Sequence, residues 1–264
     1  MHISKLSLRN YRNFMNSCLT FHKGVNTIIG ENGSGKTNIM QAIRILLDET
    51  LPRTYRFYES DFNRGLSNWR GHWIVIQIMF DELDHGDEAK ALALHQIGDA
   101  EPDIAKGSCA AIFRPKYAIR RELYELSITD GKTTNALDEI LENISTDDYE
   151  ILCTAKGSVD FSDDAIYKTY VGDFNEIIFP DPSNLVHDIY GTKLYVGNLT
   201  KEICCTFIKV LRDGESDLRS YKDNPLINLL RGKEKTIEIS KKKDIVQRIQ
   251  TLNVSLNDNL FCWS

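Results

Sequence analysis

Residues Gly30 to Thr37 read GENGSGKT, a full match to the pattern GxxxxGK[ST], set between an apolar run, Val25 to Ile29, and a helical pattern, Asn38 to Asp48. Chemistry explains the residue types. Glycines at 30, 33 and 35 let the backbone curl tightly, so that successive N–H groups and the start of the next helix point at phosphate oxygens. Lys36 brings a fixed positive charge for the β- and γ-phosphates, and Thr37 brings the hydroxyl that ligates Mg²⁺. The candidate ATP site is therefore Gly30, Glu31, Asn32, Gly33, Ser34, Gly35, Lys36 and Thr37, with Thr37 as the Mg²⁺ ligand.

The competing reading is a glycine-rich turn that matches by accident, and the flanking elements argue against it. Ile39, Ala42, Ile43, Leu46 and Leu47 fall on one helical stripe while Asn38, Gln41 and Arg44 face away, so this helix can pack on a sheet. Upstream, alternation over His2 to Arg9 predicts a strand, and Cys18 to Phe21 and Val25 to Ile29 are two more extended runs joined by His22-Lys23-Gly24. Two strands thus precede the one that leads into the loop. Many small-molecule kinases place this loop after their first strand.

Composition sets wide bounds. A chain of 264 residues with 42% hydrophobic residues buries one large core or two small ones. No apolar run approaches the roughly 20 residues of a membrane span, and the opening MHISKLSLRN lacks a signal peptide's apolar stretch. The expectation is a cytoplasmic protein with no membrane partner. Six cysteines lack CxxC spacing, and six histidines show neither HExxH spacing nor a GxSxG partner, which excludes the usual zinc and hydrolase patterns. The net charge is −6, but residues 1–70 hold ten Lys/Arg against five Asp/Glu, a local excess that suits DNA, ATP or plain solvation.

Downstream, Trp73 to Phe80 (WIVIQIMF) is the strongest strand pattern, ending in Asp81-Glu82. An apolar run before Asp-Glu resembles a Walker B element, yet Gln77 interrupts it, and an exposed strand end is the better reading. Gln77 itself has two readings, a metal-contacting glutamine like that of a Q-loop, or a solvent-side strand residue. Helices are expected over Asp84 to Gln96, Tyr117 to Ile128 and Thr134 to Ile144, and strands over Ser108 to Phe113 and Tyr149 to Thr154. The pairs Asp147-Asp148 and Asp163-Asp164 read as solvated faces. From Leu211 the chain turns charged and helix-prone.

These residues carry a resemblance. LSLRNYRNF, Leu6 to Phe14, followed by GENGSGKT and a helix, resembles the opening of the ABC-type ATPase heads of the SMC, RecF and OLD (overcoming lysogenisation defect) families. Three later segments are similar to the OLD group: SDF at Ser60 to Phe62, DFSDDAIYKTYVGDF at Asp160 to Phe174, and FIKVLRDGESDLRSYKDNPLINLL at Phe207 to Leu230. The resemblance implies an α/β P-loop NTPase of the SMC-head type, a mixed sheet with flanking helices and an incomplete C-terminal half. Residues 1–210 would form the N-terminal lobe of the head and 211–264 a helical, charged insertion or arm. It also implies ATP and Mg²⁺ as cofactors, DNA as partner, pairing of two heads as a homodimer, and a role in DNA repair or phage defence beside a Toprim nuclease.

Arg12 and Asn13 lie in the early loop that sits beside the nucleotide in related heads. Arg12 is a candidate phosphate contact; the alternative is a surface arginine at a strand end. A signature motif and a downstream Walker B strand are not recognisable in this chain, and the expectation is a truncated or split protein that binds ATP and hydrolyses it poorly. Two other classes stay open: a non-catalytic nucleotide sensor, and a P-loop kinase with Arg114, Lys116, Arg120 and Arg121 as lid.

Overall fold

The computed structural model describes residues 1–48, 51, 55–83, 106–157, 159–184, 192–193, 203, 205, 207 and 247. Strand β1 (His2–Tyr11) turns back through Arg12 and Asn13 into β2 (Phe14–Thr20), with Tyr11 opposite Phe14. On its other edge β1 meets β3 (Ile74–Asp81), which pairs Leu6 with Ile78 and Leu8 with Ile76. Beyond lie β4 (Gly107–Pro115), β5 (Tyr149–Ala155) and the two-residue β6 (Thr192–Lys193). The order is β2-β1-β3-β4-β5-β6, and every described pairing is antiparallel. The α/β architecture read from the sequence is the one observed; the sheet is antiparallel throughout the described residues because neighbouring strands, β1 and β3 apart, follow one another in the chain.

All nine residues of β4 are buried, which requires cover on both faces of the sheet. One face, built from Trp73, Val75, Ala110 and Ile112, packs against Val159, Phe161, Tyr167 and Val171 of the segment that carries helix α4 (Asp164–Val171). Alternate residues, Leu6, Leu8, Ile74, Ile76 and Ile78, supply the opposite face. There helix α1 (Lys36–Leu47) buries Ile39, Ala42, Ile45 and Leu46 and reaches β4. Helices α2 (Tyr117–Ile128) and α3 (Thr134–Glu142) contact each other, and α2 also touches β4.

One buried tyrosine joins three polar groups inside this packing. The Tyr167 hydroxyl accepts from Asn10 Nδ2 at 2.7 Å and from the Trp73 N–H at 3.0 Å, and it donates to the Trp73 carbonyl at 3.3 Å. It ties α4 to β1 and to the start of β3, and burial holds its pKa above the ordinary tyrosine value. On the same strand β1, Lys5 pairs with Asp160 at 2.5 Å and Arg9 pairs with Asp164.

Several expectations change. Val25 to Ile29, read as the strand before the loop, joins no ladder: Val25 is 98% exposed and Ile29 89%. A strand forms only where a neighbour takes its N–H and C=O groups, and none of the described residues does so. Asn26 instead ties the turn locally, accepting from His22 N and donating to the carbonyls of His22 and Gly24. Gln77, read as a metal contact or a solvent-side residue, is 3% exposed and donates to the Val159 carbonyl at 2.7 Å. It stands in the row of Val75, on the α4 face, away from α1. The pattern reading matched α2 at both ends, carried α3 two residues too far, and assigned no helix to α4.

The expected helix over Asp84 to Gln96 lies outside the described residues, as does the expected arm over 211–264 apart from Gln247. The chain divides into two compact units, Met1–Ile203 and Cys204–Ser264, and all the named elements belong to the first. In the second, Cys205 and Phe207 are half-buried and Gln247 is exposed. No helix among the described residues is long and apolar enough to cross a membrane.

Tyr167→Phe leaves the Trp73 N–H without its acceptor, and we expect it to cost about 2 kcal/mol, read in urea as a lower midpoint with an unchanged slope. A second expectation concerns His72, which stacks on Phe174 at 4.1 Å; burial, aided by the Arg9 charge, pushes its pKa down to about 4. The unfolded chain then binds a proton at higher pH than the folded one, so stability drops as pH falls from about 6.5 to about 4, by roughly 3 kcal/mol. Chemical denaturation at three pH values checks this, and His72→Phe should flatten the slope across that window.

Candidate nucleotide site

The loop Gly30–Thr37 is shaped by two left-handed glycines, Gly33 at φ 86° and Gly35 at φ 102°, conformations that side chains disfavour. Gly35 is the N-cap of α1 and receives no side-chain cap. The first bond of the helix runs from Ile39 N to the Gly35 carbonyl, while the N–H groups of Gly35, Lys36 and Thr37 have no acceptor among the described residues. A row of unpaired donors at the positive end of a twelve-residue helix suits a polyphosphate.

Lys36 closes the arch. Its ammonium donates to the Gly30 and Glu31 carbonyls, both at 2.6 Å, which leaves one of its three N–H groups and the charge for a phosphate oxygen. Ser34 N bonds Glu31 O at 3.2 Å and completes the tight bend. The Thr37 hydroxyl is exposed beside it. These residues fit ATP with Mg²⁺: amides and Lys36 for the phosphates, Thr37 for the metal.

The β1–β2 turn lies directly against this loop. Asn13 Nδ2 donates to the Ser34 carbonyl at 3.1 Å, and a Cβ at Gly35 would run into the Asn13 carboxamide. Asn38, in the first turn of α1, donates to Asn13 Oδ1 at 2.8 Å and accepts from Arg12 at 2.9 Å. Arg12 Nε in turn donates to Asp61 Oδ1 at 2.9 Å. The structure therefore brings Arg12 and Asn13 to the loop, with two of the Arg12 N–H groups engaged by protein. Burial works against the Arg12 charge, but the Asp61 carboxylate outweighs it and holds the pKa above the ordinary arginine value. Gln77 is not part of this group.

Asp61 is the residue that sequence reading missed. Its only signal is the SDF triplet, quoted for resemblance and given no role. In the structure Asp61 is 4% exposed, and its second oxygen accepts from Tyr58 N at 3.0 Å. The acidic residues elsewhere have local duties: Asp163 caps α4, Asp148 caps a single turn at Thr146–Asp148, and Glu82 pairs with Lys23 at 2.5 Å.

Residues 1–261 match the family described as AAA ATPase domain. The chain belongs to the AAA ATPase domain family. This ATPase domain is 35% identical over 106 residues to the DNA replication and repair protein RecF of Oceanobacillus iheyensis, covering 38% of the chain and 29% of that relative. RecF of Geobacillus kaustophilus is 52% identical over 77 residues, 29% of the chain and 19% of the relative. The chain thus matches less than a third of the length of either relative. A solved structure from work on ATP-driven dimerization and DNA-stimulated activation of SMC ATPases aligns over 70% of the chain and 86% of its own length, with a TM-score of 0.33 and 17% identity.

Gly35→Ala forces a side chain into a left-handed backbone and against Asn13. We expect a loss of about 1–2 kcal/mol in thermal melts. Adding Asn13→Ala should recover only the contact part, since the backbone strain stays.

Proposed function

We propose that this ATPase domain binds ATP and Mg²⁺ at Gly30–Thr37 and serves as the nucleotide-binding lobe of a head that acts on DNA. The observation that carries the reading is the set of acceptor-free N–H groups at Gly35, Lys36 and Thr37, arched over by the Lys36 ammonium. Amides without a partner among the described residues suit phosphate oxygens, and Lys36 neutralises part of the charge these bring. Thr37 would hold the magnesium ion, which would supply the remaining neutralisation of the phosphates. Arg12 and Asn13 flank the same mouth.

DNA as partner is supported by the names of the relatives, DNA replication and repair proteins, and by the basic excess of residues 1–70. Engagement of two heads as a homodimer is the form we propose for the active state. Within this reading residues 1–210 act as the lobe and 211–264 as the arm. The segments at Ser60 to Phe62 and Asp160 to Phe174 favour the OLD branch, and so an ATP-dependent DNA endonuclease of repair or phage defence.

Titration with a fluorescent ATP analogue in Mg²⁺ tests the core of the proposal. Lys36→Ala should bind about 10- to 100-fold more weakly, the worth of one charge-assisted phosphate contact. Equal affinity for both proteins contradicts it. Duplex DNA binding measured with and without ATP at two salt concentrations tests the partner, with affinity expected to fall as salt rises.

A further inference from the structure

We propose that Asp61 is a positioning residue of the nucleotide site, holding Arg12 as a pre-aimed cation at the mouth of the loop through a hydrogen-bonded chain that ends on the loop itself. The inference rests on the ATP reading above and deepens it. The chain runs from Asp61 Oδ1 to Arg12 Nε, from Arg12 to Asn38 Oδ1, from Asn38 Nδ2 to Asn13 Oδ1, and from Asn13 Nδ2 to the Ser34 carbonyl, at 2.9, 2.9, 2.8 and 3.1 Å. Every side chain in it therefore has one orientation.

Three features set this apart from an ordinary ion pair. First, Arg12 sits at φ 50°, a backbone region that a long side chain rarely adopts, and such strain persists only where surrounding bonds impose it. Two bonds impose it here: Arg12 N donates to the Asp61 carbonyl at 2.7 Å, and Asn63 Nδ2 donates to the Arg12 carbonyl at 2.8 Å. Second, the arrangement uses Nε and one N–H of a terminal nitrogen. The remaining guanidinium N–H groups meet no carboxylate or carbonyl among the described residues, with the Tyr55 hydroxyl alongside, on a side chain that is 31% exposed. Third, the carboxylate is almost fully buried while the arginine is not, so Asp61 is anchored and Arg12 is presented. A guanidinium fixed at two points loses little further freedom when it meets a phosphate, and its planar fork suits that partner.

Asn13 works at the opposite end of the chain. It grips the Ser34 carbonyl within the loop and lies against Gly35, so that Arg12 and the loop amides are held in one register. Asn38 joins the two from the first turn of α1.

Asp61→Asn is the test, because it keeps the shape and one acceptor oxygen while it removes the charge and turns the other oxygen into a donor. Binding of a fluorescent ATP analogue is measured for wild type, Lys36→Ala, Asp61→Asn, Arg12→Ala and the double variant Asp61→Asn/Arg12→Ala, with melting temperature recorded for each. We expect Asp61→Asn to weaken binding about tenfold and the double variant to bind no more weakly than Arg12→Ala alone, since Asp61 acts through Arg12. Asn38→Ala, a milder change that leaves the buried carboxylate in place, should show the same dependence on Arg12, and it stands in if Asp61→Asn fails to fold. Unchanged ATP binding in Asp61→Asn, or a loss that persists in full when Arg12 is already alanine, overturns the positioning role. Wild type that binds no better than Lys36→Ala overturns the ATP reading itself, and this inference with it.

Discussion

A buried carboxylate ties together the segments that surround the Gly30–Thr37 loop. Asp61 sits under the turn between β1 and β2, bonds both the backbone and the side chain of Arg12, and accepts from the Tyr58 N–H. A charge in that position is tolerable only when paired and hydrogen-bonded, so the requirement to satisfy Asp61 draws three segments together: residues 58–63, the β1–β2 turn and the first turn of α1. The candidate nucleotide site stands where these three meet.

The sheet provides the rigid floor. β1 lies between β2 and β3, so the turn that carries Arg12 and Asn13 grows from a strand paired on both edges. Tyr167 and Gln77 bond the polar groups trapped between the sheet and the α4 side, using Asn10 Nδ2, the backbone of Trp73 and the Val159 carbonyl. This explains why a glutamine interrupts an otherwise apolar strand. Gln77 meets a carbonyl that a leucine would leave orphaned, which is a structural duty rather than a chemical one.

Sequence patterns were legible where the period itself carries the physics. The apolar run around Gln77 became β3, the stripe after Thr37 became α1, and Tyr117–Ile128 formed at the bounds its pattern predicts. Patterns misled where the deciding contact is distant in the chain. Val25 to Ile29 has strand-like residues, yet lies mostly exposed and pairs with no strand among the described residues, because composition cannot supply a neighbour. Helix α4 is only eight residues long, and its stability comes from the Asp163 cap, the Gly172 end and Tyr167 in the core rather than from its own repeat.

The candidate site divides in the same way. The order of residues alone determined the phosphate loop, since glycine freedom, a lysine and a threonine at fixed spacing are local properties of eight consecutive residues. Tertiary structure decided what surrounds it: that Asp61, forty-nine residues beyond Arg12, is its partner, that Asn13 touches Ser34, and that Gln77 stands on the far face of the sheet. Those facts depend on strand register and on which buried charge must find which neighbour, and neither is written in any short stretch of the chain.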